Sequence, residues 1–192
     1  MMIDYYDDRE FVQHILRRFQ EEFTLRETRA FLEAGVKVVF GSWYYSSLSA
    51  GWSPQIFREL FVPLIKEHVD LVHSYGALYE YYDDGKVMPI IEDLKNCGID
   101  GFTTLCPPPM GDVDIADIKR RIGDSVCLHG GVDLLRVMKE GTPRLIEQTV
   151  KELISAAGPC GLILGTSDSI RNGTPVENVK AFFAAGRKYG KA

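Results

Sequence analysis

Strand-like and helix-like patterns alternate along this 192-residue chain from one end to the other, with no linker or low-complexity segment between them. Alternation of this kind joins consecutive strands through helical crossovers and predicts a parallel sheet. Residues Asp8 to Glu33 place Phe11, Ile15, Phe19, Phe23 and Phe31 among charges, the pattern of an amphipathic helix. A short β-branched run follows, Val36-Lys37-Val38-Val39-Phe40, ending at Gly41-Ser42-Trp43-Tyr44-Tyr45. Ser53-Pro54 opens the next helix, whose apolar side is Phe57, Leu60, Phe61, Leu64, Leu71 and Val72. A second strand runs from Ala77 to Tyr82 and stops at Asp83-Asp84-Gly85.

The rhythm continues with a short helix from Met88 to Asn96, a third strand from Ile99 to Leu105, and a loop, Cys106-Pro107-Pro108-Pro109-Met110-Gly111-Asp112. Asp114 caps a helix to Ile122, and a fourth strand from Ser125 to Leu128 ends at His129-Gly130-Gly131-Val132-Asp133. Thr142-Pro143 opens a helix to about Ala157, and Gly161 to Gly165 forms the fifth strand. Thr174, Pro175 and Glu177 have the spacing of a capping box at the head of a last helix, to about Tyr189. Two architectures fit this order, a doubly wound sheet or part of a (β/α)8 barrel. A doubly wound nucleotide fold usually shows a Gly-rich first turn, and none is present; the Gly130-Gly131 pair is followed by an acid that would repel phosphate. A whole barrel takes about 250 residues, and five strands are too few to close one.

Composition narrows the function. The formal net charge is -5, and no long run of Lys or Arg exists, which argues against nucleic acid or an anionic membrane surface as a partner. No apolar stretch approaches the roughly 20 residues that span a bilayer, and the acidic N-terminus lacks the basic start of a signal peptide. Cys97, Cys106, Cys127 and Cys160 form no C-x-x-C pair and read as reduced and mostly buried, which points to the cytoplasm.

Chemistry-bearing residues gather just after strands, where α/β proteins keep their sites. Asp168 follows Gly161-Leu162-Ile163-Leu164-Gly165 and precedes a helix. Asp83 and Asp84 close the second strand, and two carboxylates held close would raise one pKa into the range of a proton donor near neutral pH. His129 ends the fourth strand as a candidate acid or base, or as a structural group, and Asp133 sits in the turn after Gly130-Gly131, which it can fix. Aromatics at two strand ends, Tyr44 and Tyr45 with Tyr79, Tyr81 and Tyr82, pack or wall a flat organic substrate, with Tyr82 as a hydrogen-bond donor. His14, His68 and His73 lie on helices and read as solvated or capping.

Four stretches carry a family resemblance. Phe40-Gly41-Ser42-Trp43, Trp52-Ser53-Pro54-Gln55-Ile56-Phe57, Gly130-Gly131-Val132-Asp133 and Gly173-Thr174-Pro175-Val176-Glu177-Asn178-Val179 stand in the order and spacing of one superfamily. The chain resembles, over nearly its whole length, the C-terminal part of uroporphyrinogen decarboxylase and of the cobalamin-dependent methyltransferases. That resemblance implies the C-terminal part of a (β/α)8 barrel of the TIM type without its N-terminal strands. The expected fold is therefore α/β, about five parallel strands with intervening helices in one domain over residues 1–192, incomplete as a barrel.

The departures from the family pattern matter as much. Members that activate thiols hold zinc with a His-x-Cys pair after one strand and a later Cys, and the matching positions here are Tyr82, Asp84 and Asp168. Phenol and carboxylate are a harder, weaker donor set, so no zinc is expected. Decarboxylases of the superfamily carry a His at the position of Asp168, and their substrate-binding arginines lie in the N-terminal part. Ser42 alone matches a residue of the decarboxylase pocket.

The resemblance thus implies an enzyme of the corrinoid-linked methyltransferase branch, a demethylase-type protein that moves a methyl group from a small methylated compound to a corrinoid on a partner protein. No cofactor is expected to be tightly bound. Asp84, Asp168 and Tyr82 are the expected proton-donating, catalytic set, with Ser42, Trp43, Tyr44, Asp83, His129 and Asp133 around the substrate. Two alternatives stay open, a decarboxylase-like lyase of tetrapyrrole metabolism and a non-catalytic barrel fragment or partner subunit. An arc of five strands leaves two unpaired edges, so a homo-oligomer is expected.

Overall fold

The computed structural model describes residues 1–190, and Tyr44 in its backbone only. Five strands, β1 (Val38–Ser42), β2 (Leu78–Tyr82), β3 (Gly101–Leu105), β4 (Cys127–Val132) and β5 (Leu162–Thr166), pair in parallel and in sequence order. Burial alternates along β1, β2 and β4, because one face of the sheet is packed under helices and the other is open. Val39, Tyr79, Tyr81, Phe102 and Leu128 point to the covered side. Val38, Phe40, Leu78 and Ile163 are each more than half exposed on the open side. The sheet is the open arc of a barrel-type α/β fold.

The helices that cover the packed face are α4 (Pro54–Leu60), α5 (Val62–Ser74), α6 (Ile91–Cys97), α7 (Ile115–Ile122), α8 (Pro143–Ala157) and α9 (Val176–Tyr189). Before β1 come α1 (Met2–Asp7), α2 (Arg9–Phe19) and α3 (Leu25–Glu33), the last two joined through a π-turn over Gln20–Thr24. The helix starts read from sequence at Ser53, Asp114 and Thr142 are present as caps of α4, α7 and α8, and Asp8 caps α2, each side chain accepting from a backbone amide. A large core runs through Phe57, Phe61, Ile65, Val69, Ile91, Leu94, Phe102, Ile118 and Leu128. A second cluster under β4 and β5 holds Val132, Met138, Ile146, Val150 and Phe182. Each fully buried side chain of this size contributes on the order of 1.5–3 kcal/mol. Among the described residues no helix is long and apolar enough to cross a membrane.

Several local expectations are corrected. The single amphipathic helix over Asp8 to Glu33 is divided, and its periodic phenylalanines are not its buried side. Phe11, Phe19, Phe23 and Phe31 are each more than half exposed, whereas Val12, Leu16 and Leu32 are buried. The capping box at α9 does not form: the helix begins one residue later, Pro175 takes the cap position, and the buried Thr174 hydroxyl has no hydrogen-bond partner. The helix opened by Ser53 breaks at Phe61, before Val62-Pro63 starts a second one. Strand β4 extends through the Gly pair to Val132, four residues past its expected end. His68 is buried rather than solvated, and Cys160 is exposed.

One irregularity shapes the open face. The ladder between β3 and β4 slips between Thr103 and Leu105, and Thr104 takes a left-handed backbone (φ 63), which a β-branched residue rarely adopts. The Thr104 hydroxyl donates to the Asp83 carbonyl at 2.9 Å, tying the bulge to the end of β2.

Candidate active site

Strand register sets one row of side chains across the open face. Ser42 pairs with Tyr82, Tyr82 with Thr103, Thr103 with His129, and His129 with Ile163. A cavity of about 380 Å3 lies over the C-terminal half of the sheet, lined by Phe40, Tyr82, Thr103, His129, Gly165 and Asp168 among others. Strand C-termini point one way in a parallel sheet, so residues distant in sequence meet here. Three of the sequence-expected residues, Tyr82, His129 and Asp168, line this cavity together.

The Tyr82 ring leans on Phe40, centroids 5.1 Å apart. Burial first, and then the negative charges of Asp84 and Asp168, push the phenol up to about 12. Tyr82 therefore keeps its proton near neutral pH and offers it as a hydrogen-bond donor. Asp168 is held by Arg171 through a 2.6 Å ion pair three residues on, a residue that the sequence reading passed over. Asp84 is exposed at the rim, near enough to Tyr82 to act on its pKa.

The other expected residues lie elsewhere. Ser42 is exposed at the end of β1, beyond Phe40, and lines a neighbouring groove of about 450 Å3 with Phe19, Phe23 and Phe31. Trp43 is buried, and its indole N–H donates to the Tyr79 hydroxyl at 2.7 Å. Tyr79 in turn meets His68 Nδ1 at 3.1 Å, and His68 Nε2 meets the Thr28 hydroxyl at 2.8 Å. An indole can only donate, so the Tyr79 proton goes to His68 Nδ1 and His68 carries its own proton on Nε2. Burial lowers the His68 pKa to about 4, consistent with that neutral ring. The Tyr44 side chain lies outside the described residues.

Asp83, expected as a polar turn beside the substrate, is fully buried on the covered side. Ser47 and the Gly85 amide lie near its carboxyl, yet neither oxygen has a completed hydrogen bond. Burial raises its pKa to about 7. Asp133 is also buried, and its Oδ1 accepts from the amides of Leu135 and Arg136 at 2.8 Å each, capping the π-turn over Leu134–Lys139. That cap is the turn-fixing task open to it from sequence.

Glu80 was missed by sequence reasoning. It lies on the open face one row below Tyr82, and its Oε1 meets His129 Nδ1 at 2.8 Å. A charged residue alternating with tyrosines in an apolar strand was the available signal. At the positions where zinc-binding members carry His and Cys, Tyr82, Asp84 and Asp168 offer oxygen donors only, and among the described residues no three His, Cys, Asp or Glu side chains converge as a metal site.

Comparison with known proteins bears on the family and the fold of the chain. The profile of the uroporphyrinogen decarboxylase (URO-D) family matches residues 1–189. A uroporphyrinogen decarboxylase of Trichodesmium erythraeum is 26% identical over 162 residues, covering 82% of this chain and 42% of the relative. The chloroplastic enzyme of Nicotiana tabacum is 33% identical over 158 residues, 79% of this chain and 36% of the relative. A methylated-thiol–coenzyme M methyltransferase of Methanosarcina mazei is 26% identical over 140 residues, 73% of this chain and 35% of the relative. A solved methyltransferase from Methanosarcina mazei superposes with a TM-score of 0.80 at 23% identity, covering 98% of this chain and 52% of that one. The chain thus spans half or less of the length of these curated relatives.

Proposed function

This chain belongs to the uroporphyrinogen decarboxylase family, and we propose that it works on the methyltransferase side of that family, as the substrate-side part of a corrinoid-linked demethylase. Its substrate is a small methylated compound carrying a methoxy or methylamine group. The observation that carries this reading is the cavity itself, which joins a protonated phenol and a carboxylate over an aromatic wall, with a single arginine already paired to Asp168. The negative charges of Asp84 and Asp168 around that phenol disfavour a ligand that carries several carboxylates.

A reduced corrinoid carried by a separate protein would supply the nucleophile that takes the methyl group from a methyl ether, and the electron pair of the broken C–O bond would stay with oxygen. That oxygen leaves poorly unless protonated. A phenol at about 12 holds its proton until an alkoxide-like charge develops, and then gives it up. Burial, and after it the charges of Asp84 and Asp168, sets the phenol's acidity. Phe40 supports the phenol's orientation through a tilted ring contact. We propose a cytoplasmic setting for this chemistry, since four scattered cysteines outside any C-x-x-C suit a reducing compartment.

A direct test incubates the protein with a reduced corrinoid protein and a panel of methoxylated and N-methylated compounds, following loss of the reduced corrinoid's absorbance. Transfer from at least one donor, cut about 100-fold or more by Tyr82→Phe, is expected. Release of carbon dioxide from a porphyrinogen, with no methyl transfer, would establish the second reading, a decarboxylase-like lyase. That reading draws on the names of the Trichodesmium and Nicotiana relatives.

A further inference from the structure

Glu80 and His129 stand two strands apart, yet they are in contact. Their Cα partners run Glu80 to Gly101 and Gly101 to Cys127, with His129 two residues beyond Cys127 on the same face. The crossing depends on Gly101: a side chain there would place its Cβ 3.4 Å from Glu80 Cγ, in the path the glutamate takes over β3. On the far side, Gly165 leaves room for the other edge of the ring, since a Cβ there would lie 3.0 Å from His129 Cδ2 and 3.2 Å from Nε2.

The proton positions follow from the partners. A carboxylate only accepts, so a 2.8 Å contact with Nδ1 requires a proton on that nitrogen. Thr103 Oγ1, 3.1 Å from the same nitrogen, then shares that proton as a second acceptor. Neutral imidazole carries one N–H, so Nε2 keeps its lone pair; it lies on the Gly165 side of the ring, and Gly165 and His129 line the cavity together with Tyr82 and Asp168.

We propose that Glu80 is a positioning residue that locks His129 in the Nδ1–H form and so turns Nε2 into the cavity's open acceptor for the hydroxyl or N–H of a bound alcohol or amine. Under the methyl-transfer reading, on which this ligand class rests, that donor is the demethylated product. Tyr82 then gives the proton and His129 Nε2 receives the hydrogen bond of the group just formed. The tautomer itself depends only on the geometry.

Two-dimensional 1H–15N spectra of the histidine rings, recorded on the whole chain at a pH where imidazoles are neutral, test the assignment. Only four histidines need assigning, and His129→Gln identifies the signals of interest. His129 is expected to show a protonated-type shift at Nδ1 and an unprotonated-type shift at Nε2. His68 is expected to show the reverse in the same spectrum, because Tyr79 donates to its Nδ1. Glu80→Ala is expected to move the His129 proton to Nε2, and Glu80→Gln, which keeps a carbonyl acceptor, to restore the Nδ1–H form. A wild-type His129 protonated at Nε2, or a Glu80→Ala spectrum unchanged from wild type, overturns the proposal. Because the wild-type spectrum needs no variant, a misfolded substitution leaves the test intact. A failed methyl-transfer assay with the Nδ1–H form observed would remove the functional reading and leave Glu80 in its role.

Discussion

Gly130 faces the bulge at Thr104, and the two fit because one of them has no side chain. A Cβ on Gly130 would lie 2.9 Å from the Leu105 amide nitrogen and 3.5 Å from the Thr104 carbonyl carbon, and the Gly130 backbone itself is left-handed (φ 122). The bulge ties β3 to the end of β2 and sets Thr103 and Thr104 at the cavity wall. The glycine pair that sequence reading weighed as a phosphate turn thus serves the sheet.

Gly130→Ala is expected to cost about 1–3 kcal/mol, from backbone strain and the clash with β3 together. Urea unfolding measures this directly. A variant as stable as the parent would show that the bulge yields without cost and does not set the cavity wall.

Two buried groups give opposite pH dependences of stability. Asp83 has its pKa raised from 3.8 to about 7, so the folded state binds the proton more tightly, and stability falls as pH rises between those values. The shift corresponds to at most about 4 kcal/mol. His68 is lowered from 6.5 to about 4, so stability falls as pH drops through that window. The two oppose between pH 4 and 6.5, and above 6.5 only the Asp83 loss continues. Asp83→Asn is expected to raise Tm at pH 8 and to flatten the curve near pH 7. Thermal melts from pH 4 to 8 decide it, and an Asn variant less stable than wild type at pH 8 would show that the ionised carboxylate is accommodated.

Wild-type protein is expected to keep no zinc after dialysis against a chelator. The triple variant Tyr82→His, Asp84→Cys, Asp168→Cys is expected to gain one zinc per chain, because imidazole and thiolate suit that ion. Metal analysis of both proteins reads the outcome. A triple variant that folds and takes up none would mean that the three positions do not converge.

The open face is expected to drive self-association of this chain in isolation. Val38, Phe40, Leu78 and Ile163 form an exposed apolar surface between two free strand edges. Sedimentation should show a mass that rises with concentration, and the double variant Phe40→Ser, Ile163→Ser should lower it. A monomer at every concentration would contradict this expectation.

Much of the architecture was legible in the order of residues. The alternation of β-branched runs with capped helices predicted five parallel strands, because these signals are local: a cap such as Ser53 acts within one turn, and a strand's burial repeats every second residue. The stretches around Ser42, Gly130 and Gly173 carried the family, and Asp168 and Tyr82 were placed at strand ends where the structure puts them. What the chain alone could not decide was which side of each element would face the helices. Phe19 and Phe31 satisfy helical periodicity as well as Leu16 and Leu32 do, but only the second pair is buried in the core, and Phe19 stacks on Phe23 at the surface instead. Asp83 and Asp84 are adjacent and chemically alike, yet the pleat buries one and exposes the other. The pairing of Glu80 with His129 depends on two glycines in other strands, Gly101 and Gly165, and on a register that arises only when β2, β3, β4 and β5 lie side by side. Local sequence sets elements and their caps through contacts a few residues apart; tertiary packing sets the proton positions in the cavity, because these depend on partners 49 residues away.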